Sequence, residues 1–166
     1  MRFSSVATGV ALLGVLVGLA GCGSSLVSTS TSSSDSHVAY LEELTKLNEE
    51  FESTPASRKL DASLQGNGPR MLPEFEKAIV AYLPVSAEYS AKVKKIDFPA
   101  CARSLQRQRL HLEAEAREVF KGALPVVRGG DLNQLANYMG QAMLPVEADQ
   151  AHFNENVDQI LGAEGC

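Results

Sequence analysis

The sequence has no tryptophan, and aromatic residues make up only 6% of its 166 residues. Proteins that bind single-stranded nucleic acid usually stack bases on aromatic side chains, so this composition argues against such a role. Positive charge is also scarce, because 15 lysines and arginines are outnumbered by 20 aspartates and glutamates. Since binding to phosphates needs clustered positive charge, no nucleic-acid partner is predicted.

The local motifs of common enzyme sites are missing as well. The sequence has no glycine-rich phosphate loop, no cluster of metal-binding cysteines and histidines, and no recognisable serine, cysteine or histidine nucleophile arrangement. The protein is therefore predicted not to be an enzyme and to hold no metal.

Two pairs of side chains nevertheless have spacings that metal sites use. Asp149 and His152 are three residues apart, and His111 and Glu115 are four apart. A di-iron helical bundle needs two such motifs and two further inward carboxylates, and helical periodicity places both histidines about 110° from the centre of their apolar stripes. The favoured interpretation is that both histidines are exposed polar residues.

The N-terminus has the three parts of a bacterial export signal. Arg2 supplies a positive charge, residues 6–18 are apolar, and Leu19-Ala20-Gly21-Cys22 follows directly. The apolar stretch is too short for a stop-transfer helix. In this position the tetrapeptide resembles the lipobox of bacterial lipoproteins.

This resemblance implies that residues 1–21 are a signal peptide removed by cleavage before Cys22, whose sulfur carries a lipid. Each buried CH₂ of fatty-acyl chains such as palmitate contributes about 0.8 kcal/mol, so two or three chains anchor a protein permanently. The implied location is the extracytoplasmic side of the cell membrane, with the covalent lipid as the one attached group. The resemblance covers residues 1–22 alone.

Residues 22–36 are predicted to form a flexible tether, because serine, threonine and glycine cannot bury enough apolar surface to offset chain entropy. The root-mean-square span of this tether is on the order of 20 Å. Residues 37–166 are predicted to form one domain. Removing residues 1–21 takes away Arg2 and no acid, so the mature chain has 14 basic and 20 acidic residues and a net charge of −6.

The body shows the apolar spacing of amphipathic helices and no alternation typical of strands. Helices are predicted over residues 38–53, 72–96, 99–128 and 131–161. Residues 56–70, which contain two glycines and a proline, are predicted to be a loop with one helical turn. Asp131 is expected to cap the last helix. The sequence therefore predicts an all-α fold, specifically an up-and-down four-helix bundle.

Cys101 and Cys166 lie in the body of the chain. A two-residue turn at Gly129-Gly130 makes the helices on either side of it antiparallel, which brings the start of one beside the end of the other. The two cysteines are therefore predicted to form a disulfide, as pairs of cysteines in exported proteins commonly do. Two free thiols are the alternative.

Pro84 and Pro145 lie near the middle of the second and fourth predicted helices. Each removes a backbone donor and crowds the carbonyl group four residues earlier. A kink or a break is therefore predicted at each proline, with a solvated bend as the alternative.

Polar residues interrupt the apolar stripes close to these prolines. The predicted polar layer consists of Ser86, Gln108, Arg109, Asp149 and Gln150, with Ser90 one turn beyond Ser86. Because a buried carboxylate must be paired or protonated, Arg109 is predicted to pair with Asp149. We interpret the layer as a polar pocket for a small ligand; the alternative is that these residues edge the stripes and reach water.

Two functions follow from these features. The favoured one is a lipid-anchored, non-catalytic module of the cell envelope, whose acidic helical surface binds a protein or a wall component. The alternative is a carrier that holds a small apolar molecule or haem between its helices.

Overall fold

The computed structural model describes residues 34–66 and 71–162, and these residues contain helices and no strand. The all-α fold is thus confirmed. The α-helices are α1 (Ser34–Ser53), α2 (Pro55–Leu64), α3 (Met71–Val93), α4 (Arg103–Arg128) and α5 (Leu132–Gly162), and a 3₁₀ turn at Ala100–Ala102 leads into α4. The predicted signal peptide, Cys22 and Cys166 lie outside the described residues. Helix α1 begins within the segment predicted to be a tether.

Helix α2 corrects the prediction of a loop over residues 56–70. The side chain of Thr54 accepts a hydrogen bond from the backbone N–H of Ser57 at 3.2 Å, and Pro55 occupies the first helical turn. Both features favour helix initiation. Leu60 is buried on the inner face of this helix, so α2 is held by tertiary packing as well as by its cap.

The prolines do not break their helices. Helix α3 continues through Pro84 and α5 through Pro145, and α4 likewise continues through Pro125. All three prolines are exposed, so their rings lie on the outer faces of the helices and displace no core side chain. A break at Pro84 or at Pro145 is therefore wrong, and a kink at either proline stays a prediction.

Successive helices pack against each other. Helices α1, α2 and α3 are in mutual contact, α4 packs on α3, and α5 packs on α4. Aromatic rings fill the space among α1, α3 and α4. The ring centroid of Phe51 lies 4.6 Å from that of Tyr89, and the ring of Tyr82 meets that of Phe120 edge-on at 5.3 Å. The buried polar groups described below lie among these three helices, mainly where α3 contacts α4.

Two side chains fix the ends of helices. Gln106 of α4 donates to the backbone carbonyls of Val93 and Ile96, at 2.9 and 3.1 Å, and so satisfies acceptors at the end of α3. The Asp131 carboxylate accepts hydrogen bonds from the backbone N–H groups of Asn133 and Gln134. The predicted Asp131 cap is confirmed.

Cys101 is disulfide-bonded in the structure. Its predicted partner, Cys166, lies outside the described residues, so the pairing of the two stays a prediction.

Candidate functional site

A buried ion pair lies on the inner face of α4. The Arg109 Nη2 atom is 3.1 Å from Glu113 Oε1, and the two side chains are only 6% and 4% exposed. The two residues are one helical turn apart, which is the spacing at which side chains of a helix meet. The predicted pairing of Arg109 with Asp149 is therefore wrong, because the carboxylate that neutralises Arg109 comes from its own helix.

Helix α3 completes the hydrogen bonding of this pair. Ser86 donates its hydroxyl to Glu113 Oε2 at 3.1 Å. Arg117, a further turn along α4, donates to the Ser86 hydroxyl and carbonyl, both at 3.2 Å, and to the Ser90 hydroxyl at 2.6 Å. Both oxygens of the buried carboxylate thus have partners, as burial of a charge requires.

Tyr89 extends the network to α1. Its hydroxyl accepts a hydrogen bond from Arg109 Nε at 2.9 Å and donates one to Asn48 Oδ1. The α1–α3–α4 polar cluster, as we name it, consists of Asn48, Ser86, Tyr89, Ser90, Arg109, Glu113 and Arg117. Every member hydrogen-bonds to a residue on another helix. The cluster therefore fixes the relative register of the three helices.

Positive groups outnumber negative groups in the cluster. It contains two guanidinium groups and one carboxylate, and Arg117 forms no ion pair within the part of the chain that the structure describes. Burial lowers the pKa of Arg109, but the nearby Glu113 and Tyr89 more than offset this, so its pKa is raised. Burial also raises the pKa of Tyr89. Arg109 therefore stays charged and Tyr89 stays protonated at neutral pH.

The predicted polar layer is divided between two places. Ser86 and Arg109 lie in the buried cluster, whereas Gln108 and Asp149 border a cavity between α4 and α5. Gln150 donates to Asn154, one turn along its own helix. Neighbouring residues of a helix point about 100° apart, and here Gln108 and Arg109 point to different sides of α4. A single layer of these five residues is therefore wrong.

Glu113 and Arg117 carry two of the three charges of the cluster, and neither was among the predicted site residues. The signal was present, because Arg109, Glu113 and Arg117 follow one another at intervals of four residues. Alternating charges at this spacing are also typical of a solvated helix face. Only the small hydroxyls of Ser86 and Ser90 on α3 distinguish this stripe, since they leave room for the arginine side chains.

A second group of polar side chains lies between α4 and α5. His111 Nε2 is 3.4 Å from Glu115 Oε1 on the same helix and 3.7 Å from Asp149 Oδ2 on α5. His111 and Asp149 border a cavity of about 260 Å³, together with Gln108 and His152. The predicted exposure of both histidines is confirmed. The pair His111 and Glu115 on α4 nevertheless meets the pair Asp149 and His152 on α5, through the contact between His111 and Asp149.

The fold and these two groups define an all-α protein with a buried ionic cluster. Comparison of the chain with protein-family models, curated proteins and solved structures found no match. No helix in the described residues is both long and apolar enough to cross a membrane.

Proposed function

We propose that the protein is a lipoprotein anchored through Cys22 to the extracytoplasmic side of a bacterial membrane, and that its helical body is a non-catalytic interaction module of the cell envelope. The observation that carries this proposal is the disulfide-bonded state of Cys101. Disulfides form and persist in oxidising compartments outside the cytoplasm. This agrees with the export signal and lipobox at residues 1–22.

The buried cluster supports a binding role rather than catalysis. Arg109 and Glu113 are enclosed and hydrogen-bonded to protein groups, so their polar atoms are used within the fold. Such a cluster makes the domain rigid and leaves recognition to its surface. Arg109 and Ser86 thus have a structural role in place of the ligand-binding role predicted for the polar layer.

The outer face of α1 is the surface that we propose for binding. It carries the exposed carboxylates of Glu42, Glu43, Glu49 and Glu50, with Lys46 as the exposed base among them. Helix α1 also follows the tether, so this acidic face lies in the part of the domain closest in sequence to the membrane anchor. A partner with a basic surface, whether a protein or a wall component, fits this charge.

We further propose that α1, α3, α4 and α5 alternate in direction as an up-and-down bundle, with α2 packed at its side. The contacts between successive helices and the short turn at Gly129-Gly130 support this arrangement. A disulfide crosslink engineered between the first turn of α4 and the last turns of α5 would test it, since only antiparallel helices bring these two ends together.

The carrier of a small apolar ligand or haem is the alternative. A site for a drug-sized ligand is roughly 300–1,000 Å³ in volume. The cavity between α4 and α5 is about 260 Å³, and one between α1 and α3 is about 80 Å³. A carrier role would thus require the helices to separate, which the hydrogen bonds between α3 and α4 in the α1–α3–α4 polar cluster oppose.

Crosslinking in intact cells, followed by mass spectrometry, tests the proposed role. The full chain with Glu42, Glu43, Glu49 and Glu50 changed to glutamine is expected to lose crosslinks to its envelope partner. A matched control with Glu147→Gln and Asp158→Asn, two exposed carboxylates of α5, should keep them. Equal crosslinking by both variants, or a small molecule that copurifies with the uncrosslinked protein, would contradict the proposal.

A further inference from the structure

The geometry points to a binding site for one divalent transition-metal ion, with Zn²⁺ the best match, between α4 and α5. Its ligands are His111 and Glu115 of α4 and Asp149 of α5. One ligand atom from each of these three residues lies within 4.8 Å of the other two. We call this group the α4–α5 triad.

The separations within the triad suit a tetrahedral ion. Zn²⁺ binds nitrogen and carboxylate oxygen at about 2.0–2.2 Å, so neighbouring ligand atoms of a tetrahedron lie roughly 3.3–3.6 Å apart. His111 Nε2 is 3.4 Å from Glu115 Oε1 and 3.7 Å from Asp149 Oδ2. The Glu115 and Asp149 ligand atoms lie within 4.8 Å of each other, so an ion fits among the three atoms after these two carboxylates move together by up to roughly 1 Å.

Buried oxygen atoms without partners supply a second, independent indication. Glu115 Oε2, the other oxygen of the ligand carboxylate, and Gln108 Oε1, on the wall of the adjoining cavity, are both inaccessible and lack a hydrogen-bond partner. Orphan buried acceptors are rare in folded proteins because they lose their hydration without compensation. A cation at the triad would compensate Glu115 Oε2, and water bound to that cation could donate to Gln108 Oε1.

The donor set favours a transition metal over Mg²⁺ or Ca²⁺. Those two ions bind through six or more oxygens, whereas an imidazole nitrogen with carboxylates suits zinc and its neighbours. Three protein ligands leave a fourth position for water. His152 borders the same cavity, but its Nδ1 atom lies 3.8 Å from Glu155 Oε2, so it is not counted among the ligands.

Titration of the metal-stripped, full-length chain with Zn²⁺ tests this site. We expect one ion per chain with a micromolar or tighter Kd, and a visible spectrum typical of tetrahedral coordination when Co²⁺ replaces Zn²⁺. His111→Ala and Asp149→Asn should each weaken Zn²⁺ binding by more than about 10–100-fold, the range seen when only a group supporting a ligand is lost.

Asp158→Asn is the matched control, because Asp158 is an exposed carboxylate of the same helix as Asp149. It should bind Zn²⁺ as the unchanged chain does. The side chains of His111 and Asp149 are 63% and 44% exposed, so both variants should fold, which far-ultraviolet circular dichroism checks. Absence of Zn²⁺ binding by the unchanged chain, or equal affinity in His111→Ala and the unchanged chain, would overturn the proposal.

Discussion

Replacing Arg109 by methionine should destabilise the protein more than any change at its surface. The methionine side chain fills much of the same space, so the main loss is the positive charge next to Glu113. That carboxylate, 4% exposed, would keep only its hydrogen bond from Ser86 at 3.1 Å. Removing one partner of a buried ion pair costs about 3–5 kcal/mol, against a total stability of about 5–15 kcal/mol for a domain of ordinary size.

Urea denaturation followed by circular dichroism would measure this change, with an expected fall in midpoint temperature of roughly 10–20 °C in a parallel thermal scan. Glu113→Gln should also be strongly destabilising, because it leaves the Arg109 charge buried. In the double variant the loss should be smaller than the sum of the two single losses, since neither buried charge is left unpaired.

Asp149→Asn separates the observed pairing from the one that the sequence predicted. Asp149 is 44% exposed and interacts with His111, so the change in unfolding free energy should stay within about 1 kcal/mol. A stability loss for Arg109→Met below about 0.5 kcal/mol, the usual range of surface substitutions, would refute the buried pair. An equal loss of unfolding free energy in Asp149→Asn and Arg109→Met would instead favour a pair between Arg109 and Asp149.

Three further predictions concern stability. Gly122→Ala should destabilise the protein, because a methyl group there would collide with the Tyr138 hydroxyl, which donates to a backbone carbonyl of α4. Gly140 has open space around it, so Gly140→Ala should instead raise the unfolding free energy by about 0.5–1 kcal/mol. Differential scanning calorimetry should show these opposite signs, and equal signs would contradict the packing. Burial raises the pKa of all four tyrosines. Above about pH 10 the folded state therefore holds more protons than the unfolded chain, so stability should fall as the pH rises beyond that value. Phenolate absorbance that develops near pH 10 while the protein is still folded would argue against this. The predicted disulfide between Cys101 and Cys166 closes a loop of about 65 residues, so its reduction should lower the unfolding free energy by roughly 4 kcal/mol. Urea titrations with and without reductant would measure this loss, and an unchanged midpoint would argue against the pairing.

The long helices were predictable because each needs a continuous apolar face. Their sequences repeat apolar residues at helical intervals over several turns, and the predicted end at Arg128 agrees with the structure because Gly129-Gly130 follows it. Helix α2 was missed because ten residues give too few turns for a clear period. Its cap at Thr54 and the proline after it were the available signals, and the nearby glycines outweighed them.

The candidate sites were harder to predict because each depends on which helix faces which. The sequence identified Arg109 as a buried cation, yet it could not show that Glu113 of the same helix would also turn inward. It likewise placed His111 and Asp149 on separate helices with metal-like spacings. Their meeting depends on the rotation and height of α5 against α4, which follow from packing of the whole interface.

The intact mass of the protein extracted from the membrane fraction of its native host tests the central proposal most directly. We expect a chain that begins at Cys22 and carries the added mass of diacylglyceryl and fatty-acyl groups, and we expect a Cys22→Ala variant to incorporate no labelled fatty acid. A chain that keeps residues 1–21, or one that starts at an unmodified Cys22, would contradict the proposed anchor and the location that follows from it.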